Sequence, residues 1–149
     1  MQIFIGGIGC FWDETEYQGV PGIISTECGY CGGKDPKVTY EQVCGGNTEH
    51  IEVVKVTFDP KIISYEDITR LFFKIHDPTT LNRQGPNVGY QYRSEIFYTT
   101  EDERLSAKKV LDEVNKKLNG KVVTVIRKEK NYCKAEEYHQ KYFEKRSKR

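Results

Sequence analysis

Residues 50–58 constrain the fold more than any other segment of this sequence, because their side chains follow the two-residue period of a β-strand. One face of this predicted strand carries His50, Glu52, Val54, Val56 and Phe58. A strand with an apolar face needs neighbouring strands and a second layer of structure to cover that face. The chain is therefore expected to build a sheet whose covered face includes one acidic residue, Glu52.

Strand and helix signals alternate along the rest of the chain. Short strands are predicted over residues 2–8, 22–29, 94–98 and 122–126. Helices are predicted over residues 11–18 and 135–143, and after two capping boxes, Ser64 with Asp67 and Thr100 with Glu103. Since the connections are of both hairpin and crossover type, the pattern predicts a two-layer α+β domain with a mixed sheet.

The first strand ends in a glycine-rich segment, residues 6–9, which is predicted to form a tight turn leading to Cys10. The predicted helix 11–18 joins this strand to the second one. A β-α-β unit brings the ends of its two strands to the same edge of a sheet. Cys28 and Cys31 are therefore expected at or near the same edge as Cys10.

Composition narrows the classes of function. The 149 residues suit a single domain, and 23 Lys and Arg against 22 Asp and Glu leave a net charge of +1. No strong field exists to hold a nucleic acid or an anionic membrane. Without an export signal or a long apolar run, the protein is expected in the cytoplasm. Five cysteines, an odd number, then favour thiol chemistry or a metal site over a disulfide framework.

Cys10 is the first candidate for that chemistry. Because it follows a glycine turn and begins a helix, backbone N–H groups and the positive end of the helix dipole favour its nucleophilic thiolate. The alternative is a buried, unreactive cysteine. Phe11 and Trp12, which follow it, either form an apolar pocket for a small uncharged group or pack in the core.

Glu52 is the second candidate, because a carboxyl group that faces an apolar layer keeps its proton near neutral pH and can act as a proton donor. The alternative is a glutamate at a strand end that turns into water. Tyr40 and Tyr92 each lie beside a predicted loop and can offer a hydroxyl to an oxygen atom, although packing is the commoner role of a tyrosine.

Two other arrangements of cysteine compete with this interpretation. Cys28 and Cys31 form a C-x-x-C pair of the kind used in thiol-disulfide exchange, but a glycine-rich loop follows instead of a helix. Cys28, Cys31, Cys44 and His50 also have the stoichiometry of a structural zinc site. A zinc-binding module is therefore the alternative to an enzyme.

Several separate blocks of the sequence resemble the A-type methionine sulfoxide reductases, which reduce the S epimer of methionine sulfoxide. The resemblance extends over residues 3–143. The blocks are residues 4–12 (FIGGIGCFW), 29–33 (GYCGG), 39–44 (TYEQVC), 50–54 (HIEVV), 76–94 and 135–140 (AEEYHQ).

The resemblance implies a reaction and a role for each site residue. Cys10 is expected to attack the sulfoxide sulfur and become a sulfenic acid, with the methyl group held by Phe11 and Trp12. Glu52, Tyr40 and Tyr92 are expected to hold and protonate the oxygen. The substrate is methionine sulfoxide, free or in proteins, and thioredoxin or another thiol reductant restores the enzyme.

Three features of the sequence depart from the family pattern. No cysteine follows residue 133, so the thiol that resolves Cys10 is expected to be Cys31 first, then Cys28 or Cys133. Asn87 stands where relatives commonly have Asp beside the substrate. Asp13 replaces the glycine that usually follows Cys-Phe-Trp.

The resulting expectation for the whole molecule is an α+β, two-layer sandwich with a mixed sheet, a ferredoxin-like core and long loops. Residues 1–149 are expected to form one domain that acts as a monomer, without a cofactor or a metal.

Overall fold

The computed structural model describes residues 2–7, 16–34, 37–39, 42–43, 49–80, 83–84, 87–88 and 92–135. Its main sheet contains β1 (Gln2–Gly7), β2 (Ile23–Cys31), β3 (Ile51–Phe58), β6 (Glu95–Tyr98), β7 (Val125–Lys128) and β8 (Cys133–Lys134). A separate two-stranded sheet contains β4 (Arg83–Gln84) and β5 (Asn87–Val88), and the two long helices of the described residues are α1 (Tyr65–Lys74) and α2 (Glu101–Lys117).

The strand order of the main sheet is β7-β6-β1-β3-β2-β8. Both β1 and β2 are antiparallel to β3, which lies between them, so β1 and β2 run parallel and end at the same edge, as predicted. The order β6-β1-β3-β2 is that of a ferredoxin-like core. Because β7 is parallel to β6 after the crossover through α2, the sheet is mixed, which confirms the predicted fold class.

Both predicted capping boxes begin helices. The Asp67 amide donates to Ser64 Oγ over 3.0 Å at the start of α1. The Glu103 amide donates to Thr100 Oγ1 over 3.2 Å at the start of α2. These contacts satisfy amide groups that the first turn of a helix leaves without a partner, which is why a local pattern located them.

The two faces of the main sheet bury different sets of side chains. The face towards α1 and α2 carries the larger cluster, in which the Phe4 ring meets Tyr65 and Phe72 edge to face at 5.5 Å. The other face carries a smaller buried cluster of Ile5, Cys31, Ile51, Val53 and Phe97. Strand β3 contributes to both clusters, so it is covered on both sides.

Two expectations about local structure were wrong. Gly6 and Gly7 lie in β1 and not in a turn. A Cβ at Gly7 would lie 2.3 Å from Ile51 Cδ1, so the close packing at this position requires a residue without a side chain. The segment predicted as strand 122–126 forms β7 only from Val125, and β8 follows it. The polar segment 79–92 contains the β4–β5 pair. Among the described helices, neither combines the length and apolar character needed to cross a membrane.

Candidate active site

Four strand ends meet at the edge of the sheet where the site was expected. In the register of the sheet, Gly7 at the end of β1 is opposite Val53 of β3 and Glu95 of β6. Cys31 at the end of β2 is opposite Ile51 at the start of β3. The chain that leaves β1 at this edge reaches Cys10 three residues after Gly7.

Several predicted site residues lie outside the described residues. These are Cys10, Phe11, Trp12, Tyr40 and Cys44, as well as Asp13 and most of the predicted helices 11–18 and 135–143. For Asn87 the structure gives the backbone, which lies in β5.

Glu52 occupies the second position of β3, opposite Tyr30 of β2. It is 1 % exposed and shares a face with Val54, as the two-residue alternation predicted. Its Oε2 atom has no hydrogen-bond partner in the part of the chain that the structure describes. Burial raises the pKa of Glu52 to about 8, although a hydrogen bond from the Tyr92 side chain acts in the opposite direction. The carboxyl group therefore keeps its proton at neutral pH.

Tyr92 is the second predicted site residue that the structure places at this edge. It is half-buried and lies just before β6, within hydrogen-bonding distance of Glu52. Glu52 and Tyr92, which are separated by forty positions in the sequence, are thus brought into direct contact. A protonated carboxyl group beside a phenol can hold and protonate an oxygen atom of a bound substrate.

A second buried glutamate, Glu95, lies at the same edge but was not identified from the sequence. It is 1 % exposed, and its Oε2 atom lies 2.6 Å from Arg127 Nε. Its Oε1 atom lies 3.5 Å from Arg93 Nη1. The alternation of β6 gives Glu95 the same face as Phe97, but no local pattern indicates that Arg127, on another strand, will neutralise it.

The described cysteines form no disulfide and lie in three different surroundings. Cys28 is buried opposite Val54 in the larger cluster. Cys31 is buried in the smaller cluster on the other face, where its Sγ donates to the Lys130 carbonyl oxygen over 3.5 Å. Burial raises the pKa of Cys31 to about 12, so its reactive thiolate is scarce at neutral pH. Cys133 is partly exposed.

The C-x-x-C pair lies within a strand, and this placement bears on both alternative interpretations. Residues three positions apart in a strand point to opposite faces, which is why Cys28 and Cys31 belong to different clusters. They cannot bind one zinc ion from opposite sides of the sheet. Within the described ranges, no three His, Cys, Asp or Glu side chains come together as a metal site. The structure gives the zinc-module alternative no support.

Comparison with known proteins identifies the family. The family model described as "Peptide methionine sulfoxide reductase" matches residues 1–149. The chain belongs to this family.

Named relatives agree with the assignment to the peptide methionine sulfoxide reductase family. The chain is 58% identical over 147 residues to "Peptide methionine sulfoxide reductase MsrA" of Pelagibacter ubique, which covers 98% of this chain and 100% of that protein. It is 53% identical over 142 residues to the protein of the same name from Methanococcus maripaludis, covering 95% of this chain and 90% of the relative.

Solved structures of the same family share the architecture. Mxr1 from Saccharomyces cerevisiae in reduced form matches with a TM-score of 0.93 and 38% identity, covering 99% of this chain and 87% of the other. Methionine sulfoxide reductase A of Corynebacterium diphtheriae matches with a TM-score of 0.91 and 31% identity, covering 98% of this chain and 75% of the other. A structure of Mxr1 in complex with Trx2 matches with a TM-score of 0.67 and 26% identity, covering 95% of this chain and 84% of the other.

Proposed function

We infer that this protein reduces methionine sulfoxide, free or within proteins, to methionine, and that a thiol reductant of the thioredoxin type restores it. Membership of the reductase family supports the reaction. The observation that carries the mechanism is the buried Glu52, which holds a proton at neutral pH beside Tyr92. The structure of Mxr1 in complex with Trx2 supports a thioredoxin-type partner.

The proposed chemical step uses the Cys10 thiolate as the nucleophile. It attacks the sulfoxide sulfur, which accepts two electrons, while Glu52 gives its proton to the oxygen. The sulfur–oxygen bond of the substrate breaks as its oxygen is transferred to the Cys10 sulfur, and the bond between the two sulfur atoms breaks as methionine leaves, so that Cys10 ends as a sulfenic acid. Solvent returns a proton to Glu52. Attack of a second thiol on Cys10 releases water and forms a disulfide, which the reductant opens by exchange.

The remaining site residues complete this proposal. Tyr40 and Tyr92 hold the substrate oxygen, and Phe11 and Trp12 enclose the methyl group. Asn87 borders the substrate on the side of the segment that contains β4 and β5. The family resemblance supports these roles and the preference for the S epimer of the sulfoxide.

Regeneration is proposed to begin with a thiol of this chain, with Cys31 as the first candidate and Cys28 and Cys133 after it. The position of Cys31 at the strand edge supports this choice. Its burial and raised pKa mean that the end of β2 must open before Cys31 can react. Oxidation with one equivalent of substrate, followed by mass spectrometric mapping, tests the pairing. A Cys10–Cys31 link is the expected product, whereas a lasting sulfenic acid would mean that an external thiol is needed.

The central experiment replaces Cys10. Because only this thiol receives the oxygen, Cys10→Ser is expected to lose all reduction of methionine-S-sulfoxide in a single-turnover assay. Cys28→Ser serves as the control and tests the competing idea of a thiol exchanger built on the C-x-x-C pair. If Cys10→Ser keeps most of the activity and Cys28→Ser loses it, the proposed mechanism is wrong.

The wider setting is also part of the proposal. The family match over residues 1–149 supports a single domain, and three described cysteines that form no disulfide suit the reducing cytoplasm. A net charge of +1 supports a protein that binds neither nucleic acid nor membranes. The exposed large apolar side chains of the described chain, such as Ile24, Ile62 and Leu105, lie on β2, in the turn before α1 and on α2 respectively, which supports a monomer. Sedimentation tests this state.

A further inference from the structure

We propose that His76 is a positioning residue that, through the Ser94 hydroxyl, holds Tyr92 against Glu52. The inference deepens the proposed function and rests on it, since it concerns the same proton donor. His76 lies just after α1, where it follows the last helical turn, and the Ser94 hydroxyl lies at the entrance to β6.

The contacts of His76 fix both nitrogen atoms of its ring. Nδ1 faces the Phe72 carbonyl oxygen, to which it must donate, so Nε2 carries the lone pair. Nε2 lies 2.8 Å from Ser94 Oγ and accepts from that hydroxyl. The ring packs against Phe72 and Phe73 at centroid distances of 4.3 and 6.1 Å. Burial lowers the pKa of His76 to about 4, so the ring stays neutral and its acceptor is present throughout the neutral range.

Ser94 is held by its main chain as well as by its side chain. Its hydroxyl oxygen lies 2.7 Å from Thr124 Oγ1, and Thr124 can donate to it while Ser94 donates to His76. The Ser94 carbonyl oxygen accepts from the Val125 amide over 3.1 Å. The segments that contain His76, Ser94 and Thr124 are therefore joined by one buried hydrogen-bond network.

The position of Ser94 limits where Tyr92 can lie. The two residues are separated only by Arg93, whose guanidinium is paired with Glu95 at 3.5 Å. Two residues span at most about 7 Å, so an anchored Ser94 confines the Tyr92 backbone to a small region beside Glu52. A tyrosine confined in this way loses little further freedom when its hydroxyl bonds to the carboxyl group.

The surroundings of Glu52 make this hydrogen bond measurable. Tyr30 is opposite Glu52 in β2, Cys133 is opposite Tyr30 in β8, and His50 lies two residues before Glu52, just ahead of β3. Apart from burial, the hydrogen bond from Tyr92 is the one influence on the pKa of Glu52 among the described residues. A hydrogen bond to the ionised carboxylate lowers its pKa, so loosening that bond must raise it.

The test compares variants that cut the network with a variant that removes a buried hydroxyl elsewhere. Ser94→Ala deletes the donor to His76, and His76→Asn keeps an amide that can donate towards Phe72 but removes the acceptor. The control is Thr69→Val, which removes a buried hydroxyl that donates to the Tyr65 carbonyl oxygen over 2.8 Å within α1. Steady-state reduction of methionine-S-sulfoxide and its pH profile are measured for each variant.

We expect Ser94→Ala and His76→Asn to lower kcat about tenfold, with KM changed by less than about twofold. The alkaline limb of the kcat profile should move to higher pH in both variants, because Glu52 keeps its proton longer. Thr69→Val should lose thermal stability without moving this limb. A purely structural role for His76 would lower the melting temperature in the same way as Thr69→Val and leave the limb in place.

Tyr92→Phe separates failure of this proposal from failure of the proposed function. If Tyr92→Phe moves the alkaline limb and Ser94→Ala does not, the positioning role of His76 is overturned while the proton-donor mechanism stands. If neither variant moves the limb, the role of Tyr92 is overturned together with the positioning role. Should His76→Asn fail to fold, Ser94→Ala decides the matter, because it deletes only one oxygen atom.

Discussion

Glu52 and Glu95 are two glutamates at one edge of one sheet, each 1 % exposed, yet their surroundings differ completely. Glu95 lies between the guanidinium groups of Arg127 and Arg93. Glu52 has no cation among its described contacts, and its one resolved polar partner is the neutral Tyr92. The same side chain at the same depth is thus ion-paired in one place and protonated in the other.

The comparison shows that burial alone does not decide what a carboxyl group does. A buried carboxylate is costly unless a cation and hydrogen bonds compensate it, and without them the group keeps its proton. The charge of Glu95 is compensated by Arg127 and Arg93, and its ion pair with Arg127 joins β6 to β7. Glu52 is not compensated, which makes it an acid with a proton to give at neutral pH. The three predictions below test this difference by replacing one or both of these glutamates with glutamine.

The largest expected effect is on activity. Glu52→Gln keeps the shape of the side chain but removes the proton, so reduction at pH 7 should fall by about 10²–10⁴-fold. The loss should be much smaller in acid, where solvent can supply the proton. Glu95→Gln is the matched control, and its rate of reduction at pH 7 should stay within a few-fold of that of the parent protein. An unchanged rate of Glu52→Gln at pH 7 would refute the donor role.

The second effect is on stability, and here the substitution of Glu95 should have the larger effect of the two. Glu95→Gln leaves Arg127 without its carboxylate and should lower the free energy of unfolding by about 2 kcal/mol, less than for a fully buried pair because 33 % of the Arg127 side chain is exposed. Urea denaturation measures this loss. Adding Arg127→Met to Glu95→Gln should recover part of it, and a loss that is independent of Arg127 would show that the ion pair is not its cause.

The smallest effect concerns pH. The pKa of Glu52 is about 8 in the folded protein against an ordinary value of 4.5. The folded state binds the proton of Glu52 more tightly than the unfolded state does. The resulting contribution to the free energy of unfolding is therefore fully present below pH 4.5 and is lost as the pH rises towards 8. The slope should be at most about 1.4 kcal/mol per pH unit. Glu52→Gln should remove this slope in urea titrations at pH 6 and 7. Parallel curves for parent and variant would contradict the raised pKa.

Features that depend on near neighbours in sequence could be predicted. The capping boxes at Ser64 and Thr100 act over three residues, and the face of Glu52 follows from the pleat of its own strand. The common edge of β1 and β2 followed from the geometry of a crossover. The family resemblance was specific for the same reason, since each block is a short run of chain.

Features that join distant segments could not be predicted. The contact of His76 with Ser94 spans 18 positions, and that of Ser94 with Thr124 spans 30. His76 gave no local signal beyond the end of its helix. The glycines at 6 and 7 were misassigned to a turn because the need for them comes from Ile51, Phe4 and Phe72 packing against β1. The spacing of Cys28 and Cys31 suggested a pair, but a strand places them on opposite faces.

The sequence by itself determined the layered architecture, the family and the candidate residues for the chemistry, because periodicity, caps and short blocks are local properties. Only the tertiary structure decided which of two equally buried glutamates is paired with arginines, and which thiols are hidden. Desolvation and ion pairing depend on every group that packs around an atom, and those groups come from strands and helices far apart along the chain.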